Sequence, residues 1–251
     1  MPESLLVETV DDVLTITWND PGRLNGLTGE MVIAATEAVE NAVASTRVIV
    51  FAGNGRAFST GARLDEAIEG TEPMDRANAL IRAIVASPVP VVAAVNGPAA
   101  GFGCSVALAA DITIAAQSAY FLLPFTNIGL MPDGGTTAVV AASIGRARAT
   151  AMAMLGERLP AGDAAQAGLI YRAVADDEFS AEVDRVVRQL STGAAVALRA
   201  TKQAIAAATL DRLDYALDLE RDLQVALFDT EDFTEGTTAF VHKRAPRFTG
   251  R

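Results

Sequence analysis

Between residues 47 and 115, three short apolar runs, RVIVFAG, VPVVAAVNG and DITIAA, alternate with two segments of helical spacing, PMDRANALIRAIVAS and GFGCSVALAA. This alternation narrows the fold more than any other feature. Runs of that length, rich in Val, Ile and Ala and lacking polar alternation, suit strands buried on both faces. A strand–helix–strand order joins such strands by crossovers, so a parallel sheet and an α/β fold are expected.

The flanks extend this plan. LLVETV and VLTITW alternate around Asp11-Asp12 and read as a hairpin. TGEMVIAATEAVENAVAS has helical spacing and opens after Thr28, and AYFLL reads as a further strand. From Gly134 helices dominate: GGTTAVVAASIG, with Gly145 as its C-cap, then RARATAMAMLG and PAGDAAQAG. After a short strand, LIYRAVA, three or four helices run to the end. The character changes near Ser191–Gly193, which divides a core, 1–193, from a helical region, 194–251, with no linker between them. No repeat of fixed period is present.

Composition excludes several kinds of chemistry. The single cysteine, Cys104, permits no internal disulfide and no Cys-rich zinc site. The single histidine, His242, rules out a two-His metal site within one chain. No metal and no cofactor is expected. A net charge of −11 argues against general binding to nucleic acid or to anionic membrane. No apolar run approaches the ~20 residues of a membrane span, and the start, MPESLLVETVDD, lacks the pattern of a secretory signal. A soluble, cytoplasmic protein is expected. Against the acidic balance, the tail VHKRAPRFTGR gathers Lys243, Arg244, Arg247 and Arg251, either as solvated cations at a helix end or as an anion site.

Two glycine-rich turns follow buried strands: FSTGARLDE (58–66) and NGPAAGFGCSVALAA (96–110). Neither fits a nucleotide motif. GFGCSV has Val106 where a dinucleotide fingerprint needs glycine, and GNGRAFSTG lacks the Lys-Ser/Thr of a phosphate loop. Both could instead expose main-chain N–H groups at a helix start. Two such donors converging on one oxygen form an oxyanion hole, worth ~3–4 kcal/mol per donor as charge develops. The stretch NIGLMPDGGTTAVV adds an acid, Asp133, before a helix. It is either a plain cap, accepting from first-turn N–H groups, or a group that moves a proton.

Taken in order, these segments resemble the crotonase superfamily, the enoyl-CoA hydratase/isomerase family, over nearly the whole chain. NDPGRLNGLTGEM, VIVFAGNGRAFSTGARL, PVVAAVNGPAAGFGCSVALAADITIAA and EDFTEGTTAFVHKRAPRFTGR carry the resemblance. It implies an α/β crotonase-like (ClpP/crotonase) spiral of ββα units with a C-terminal helical region, assembled as trimers or pairs of trimers. It implies a coenzyme A thioester as substrate, its carbonyl oxygen between the backbone N–H groups of Ala62 and Phe102, beside Gly61 and Gly101. Arg23, Leu24 and Leu64 would line the coenzyme's path, Phe125 the acyl site, and Phe240 and Lys243 would reach the phosphates from a neighbouring subunit.

The chain departs from the hydratase pattern. The positions of the two hydratase glutamates match Ser105 and Phe125, and neither can serve as a carboxylate acid or base. Arg63 stands where Asp is usual in the first loop. Family members that shift double bonds carry their acid in a Pro-Asp/Glu-Gly-Gly turn, the form of residues 132–135. The resemblance therefore points to the Δ3,Δ2-enoyl-CoA isomerase branch with Asp133 as acid/base. Burial beside Phe102, Phe125, Ile128 and Met131 would raise its pKa, while helix-end donors would lower it. Alternatives are a hydratase in which Asp133 does duty for a missing glutamate, an acyl-CoA binder without turnover and, ranked low, a dehalogenase with an attacking Asp in this turn, which needs a pocket histidine whereas His242 matches the tail.

Overall fold

The computed structural model describes residues 2–42, 44–64 and 69–251. The last two residues of the first glycine-rich loop, Asp65 and Glu66, lie outside the described residues. The hairpin forms as expected. Strands β1 (Leu5–Val10) and β2 (Val13–Trp18) pair antiparallel, Leu5 opposite Trp18 and Val10 opposite Val13. Asp11 and Asp12 both take positive φ (48° and 62°), the tight turn whose twist matches that of the strands.

Strands β3 (Val48–Gly53), β4 (Val91–Val95), β6 (Ile112–Ala116) and β9 (Arg172–Val174) continue the sheet in parallel, in the order β1-β2-β3-β4-β6-β9. From β3 to β6 the crossovers are α2 (Glu72–Ala86) and α3 (Phe102–Ala109). Every residue of β4 is buried. The two faces pack separately. Ile49, Phe51 and Ala93 join the main core with α1 (Gly29–Glu40), α2 and α3, while Val48, Val50, Val92 and Ile114 meet Val186 of α6 (Phe179–Ser191). Burial on both faces is why these strands carry no polar alternation, and each fully buried Val or Ile contributes roughly 1.5–3 kcal/mol.

Helix α1 starts where expected, Thr28 accepting from Met31 N at 3.2 Å, but ends at Glu40 rather than running on to Ser45. Helix α4 (Thr136–Leu155) is two helical runs meeting at a kink, and the first ends at Gly145 as expected: that residue (φ 77°, ψ 157°) leaves the helical dihedrals, and the second run follows at once. By length and composition α4 is the one helix among the described residues that could cross a membrane, but this break and Arg146 and Arg148 interrupt it. A second, smaller sheet was not expected. It joins β5 (Ala99–Ala100), β7 (Tyr120–Leu122) and β8 (Leu159–Pro160). Two-residue strands leave no periodicity to read.

After α5 (Ala161–Ala167) and α6, three helices close the chain: α7 (Ala195–Thr209), α8 (Leu213–Phe228) and α9 (Glu231–Val241). Lys202 of α7 donates to the carbonyls of Ile84 (2.9 Å) and Val89 (3.2 Å) and pairs with Asp111 (2.8 Å). Helix α8 packs on α2 and α4, and α9 on the 3-10 turn Phe125–Ile128. The tail folds back on α9. Arg244 pairs with Glu235 at 2.6 Å and holds that carboxyl down to about 2, and Asp232 accepts from the N–H groups of Thr249 (2.6 Å) and Gly250 (2.9 Å). Arg244 is thus committed within the chain.

Candidate active site

The two glycine-rich loops meet. Ser59 and Ala99 form a parallel bridge, and Ala100 N donates to Ser59 O at 2.9 Å. A Cβ placed on Gly61 (φ 87°) would lie 2.9 Å from both the Phe102 nitrogen and the Ala100 carbonyl oxygen, so only glycine allows this approach. The first loop is fastened from below by Asn25, which is fully buried. Its amide donates to the carbonyls of Asn54, Ala57 and Phe58, while Asp20 N donates to its oxygen. Ser59 Oγ accepts from Gly61 N (3.1 Å) and donates to Asn25 O (2.8 Å).

This scaffold sets the two main-chain donors. The bridge of Leu27 with Ala62 uses the Gly61 carbonyl and the Arg63 N–H, which turns the Ala62 N–H away from Leu27. Phe102 opens α3, where a first-turn N–H has no acceptor within its own helix. Gly101 is held by its N–H on Leu122 O (3.0 Å). Ala62 is exposed, and the buried Phe102 side chain forms the floor of the loop pair.

Asp133 lies against this floor. Ser105 Oγ, one helical turn into α3, donates to the Asp133 carbonyl at 2.9 Å, as does Thr136 Oγ1. A Cβ on Gly134 (φ 62°) would meet Ser105 Cβ at 2.6 Å and the Phe102 ring at 3.1 Å. Only glycine lets the turn press this closely on α3. Asp133 is 8% exposed. Its Oδ2 accepts from Gln224 Nε2 at 3.1 Å, and its buried Oδ1 has no partner among the described residues.

The plain-cap reading fails on this geometry. The side chain of Asp133 takes none of the N–H groups at the start of α4. Glu220 of α8 takes them: its carboxylate accepts from Gly135 N (2.7 Å) and Thr137 N (3.0 Å), and from the Thr137 hydroxyl. The helix-end donors expected to lower the Asp133 pKa are therefore engaged elsewhere. Burial, and next the like charge of Glu220, push the Asp133 carboxyl up to about 7, opposed by the Gln224 hydrogen bond. Glu220 is also raised, chiefly by burial.

Glu220 and Gln224 were not singled out in the sequence, although it held a signal. The buried stripe of α8 runs Leu213, Ala216, Leu217, Glu220, Gln224, so two polar residues occupy positions that packing reserves for apolar ones. Buried polar groups need fixed partners, and both have them: Gln224 also accepts from Met131 N (3.0 Å) and donates to Met131 O (2.9 Å). Asn78 repeats the pattern on α2, donating to Leu217 O at 2.9 Å.

The remaining candidates are spread around this centre. Phe125 is buried in the turn beneath α9. Leu24 (φ 54°) accepts from Thr60 N at 3.2 Å, which puts Arg23 and Leu24 beside the first loop; Arg63 and Leu64 follow Ala62 directly. Arg63 packs its side chain on Gly26. Phe240, 64% exposed, and Lys243 (φ 52°) stand at the end of α9, with no bond to either loop among the described residues. His242 is exposed and bonded through Nδ1 to its own helix at Thr238 O (2.8 Å), which does not suit a pocket base. No cluster of metal-ligating side chains is found among the described residues.

Comparison with known proteins agrees with this architecture. The family model described as Enoyl-CoA hydratase/isomerase matches residues 8–251. A probable enoyl-CoA hydratase of Rhodobacter capsulatus is 43% identical over 249 residues, 97% of each chain. The 1,2-epoxyphenylacetyl-CoA isomerase of Escherichia coli is 38% identical across the full length of both chains. The crystal structure of an enoyl-CoA hydratase from Mycobacterium avium subsp. paratuberculosis superposes with a TM-score of 0.94 at 48% identity, covering 98% of each chain.

Proposed function

This chain belongs to the enoyl-CoA hydratase/isomerase family, and from that premise we propose that it moves a double bond within an enoyl-CoA, with Asp133 as the acid/base. The observation that carries the reading is the isolation of one buried carboxylate oxygen, Asp133 Oδ1, beside the floor formed by Phe102 and Ser105.

The steps follow from charge. The thioester carbonyl of a 3-enoyl-CoA accepts from the N–H groups of Ala62 and Phe102. The Asp133 carboxylate removes a proton from the carbon next to the carbonyl. The C–H electron pair moves toward the carbonyl oxygen, and the two N–H donors stabilise the dienolate. The protonated Asp133 then returns the proton two carbons along, which leaves the double bond conjugated with the thioester. A carboxyl near 7 is a stronger base than an ordinary aspartate and is still substantially ionised at neutral pH. The thioester is substrate, and no further cofactor takes part. Arg23, Leu24, Gly61, Leu64 and Gly101 would flank the coenzyme and its carbonyl, Phe125 the acyl chain, and Phe240 and Lys243 a neighbouring subunit's coenzyme.

Water addition is the second reading, favoured by the name of the Rhodobacter relative. Ser105 and Phe125 stand against it, since neither offers a carboxylate at the hydratase positions. Proton NMR of 3-enoyl-CoA with the enzyme in deuterated water tests both. Migration of the double bond is expected, with little 3-hydroxyacyl product and with deuterium entering only to the extent that protonated Asp133 exchanges with solvent before returning its proton. Asp133→Asn should lower turnover by at least about a thousandfold while leaving acyl-CoA affinity within a few-fold. Wild-type turnover in that variant would overturn the proposal.

A further inference from the structure

Helix α8 reaches the candidate site through two residues one turn apart. Gln224 Nε2 ties Asp133 Oδ2, while its other two bonds fix the Met131 backbone two residues earlier. Glu220 takes the Gly135 and Thr137 N–H groups on the other side of Asp133. The turn 131–137 is therefore gripped at both ends by a single face of α8, and the acid lies between the grips.

We propose that Glu220 and Gln224 are positioning residues for Asp133. Gln224 ties one carboxylate oxygen so that the other alone exchanges the proton, and Glu220 withholds from Asp133 the amide donors that would otherwise solvate it. This rests on the isomerase reading for its catalytic meaning, but the arrangement itself is a property of the free protein.

The surroundings make the two residues act in opposite directions. Of the elements packed on the turn, α3 brings the hydroxyl of Ser105 and the Phe102 ring, and α2 brings Ile81 and uncharged Asn78. The charged residues of α2 near α8, Asp75 and Arg82, are paired on the exposed side with Arg221 and with Asp214 and Asp218. Among the described residues Glu220 is the one charge that shifts Asp133, and it raises it, whereas the bond from Gln224 lowers it. Glu220→Gln removes that charge and also leaves one acceptor oxygen where the carboxylate offered two, so one of the Gly135 and Thr137 N–H groups is released from α8. Both effects favour the ionised acid.

The test reads the Asp133 carboxyl directly. Carboxyl carbon NMR of aspartate-labelled protein, with Asp133→Asn to identify the signal, follows its titration in wild type, Glu220→Gln and Gln224→Met. The midpoint should fall in Glu220→Gln and rise in Gln224→Met, each by roughly one pH unit. The acidic limb of kcat/KM for 3-enoyl-CoA should move with it. A merely structural pair would loosen the turn in both variants without moving the midpoint in opposite directions. Where Gln224→Met fails to fold, Gln224→Glu serves: it replaces the donor with a second like charge, and the midpoint must rise. Equal or same-sign shifts overturn the proposal. Opposite shifts in an enzyme that moves no double bond uphold the positioning and sink the isomerase reading alone.

Discussion

The two oxygens of Asp133 live differently: one is tied to Gln224, and the other is buried with no partner among the described residues. This unequal treatment has a thermodynamic signature. The folded chain holds the carboxyl at about 7, against an ordinary 3.8. Between those values the folded state keeps a proton that the unfolded chain has released. The stability from this group is therefore complete below about pH 4 and is lost as pH rises through about 7. Asp133→Asn, which cannot ionise, should be more stable than wild type at about pH 8, on the order of a few kcal/mol, and the gap should close near pH 4. Urea unfolding at the two pH values checks this; a gap independent of pH would show that the carboxyl is not raised. The sequence exposed Asp133 because Pro and two glycines frame it. It hid the partners of that acid, because the 85 and 91 residues between Gly135 and Glu220 and between Asp133 and Gln224 are spanned only by the fold.

Helix α9 is positioned by absence of side chain. A Cβ on Gly236 would lie 2.5 Å from the carbonyl carbon of Ile128, and one on Gly129 would lie 2.7 Å from the carbonyl carbon of Asp232. Backbone thus rests on backbone at the turn that carries Phe125. Gly236→Ala, harmless to the helix itself, must push α9 outward, and should cost about 1–3 kcal/mol in denaturant unfolding. An unchanged midpoint would mean that α9 is free to shift. At this scale the strands and helices of residues 47–115 were legible, since burial on both faces leaves uninterrupted apolar runs. The break at Gly145, where two helical runs meet, was legible too. Two features were not. Strands β5 and β8 are too short to show a period. The N–H groups at the start of α4 are satisfied by a helix some eighty residues away, which no local pattern announces.

Apolar side chains are exposed on several late helices, Met154 (70%), Val196 (83%), Tyr215 (60%) and Leu223 among them. We propose that the chain assembles as the trimer, or pair of trimers, implied by the family resemblance, which would cover part of this surface and let Phe240 and Lys243 serve a neighbour's site. Sedimentation velocity at micromolar concentration should give at least three times the 26.1 kDa chain mass, and a monomer would contradict it. The parallel order of the core was readable because topology follows from alternation, whereas assembly depends on surfaces whose partners the sequence does not name. The latch between Ser105 and the Asp133 carbonyl bears on how such a protein could change its trade. Ser105 and the turn at Gly134 are in such close contact that a Cβ on Gly134 would lie 2.6 Å from Ser105 Cβ, so a larger side chain at 105 has to share its space with this turn. Laboratory evolution that places a bulkier residue at 105 should therefore gather compensating changes in residues 131–137, where the hydroxyl now holds the turn.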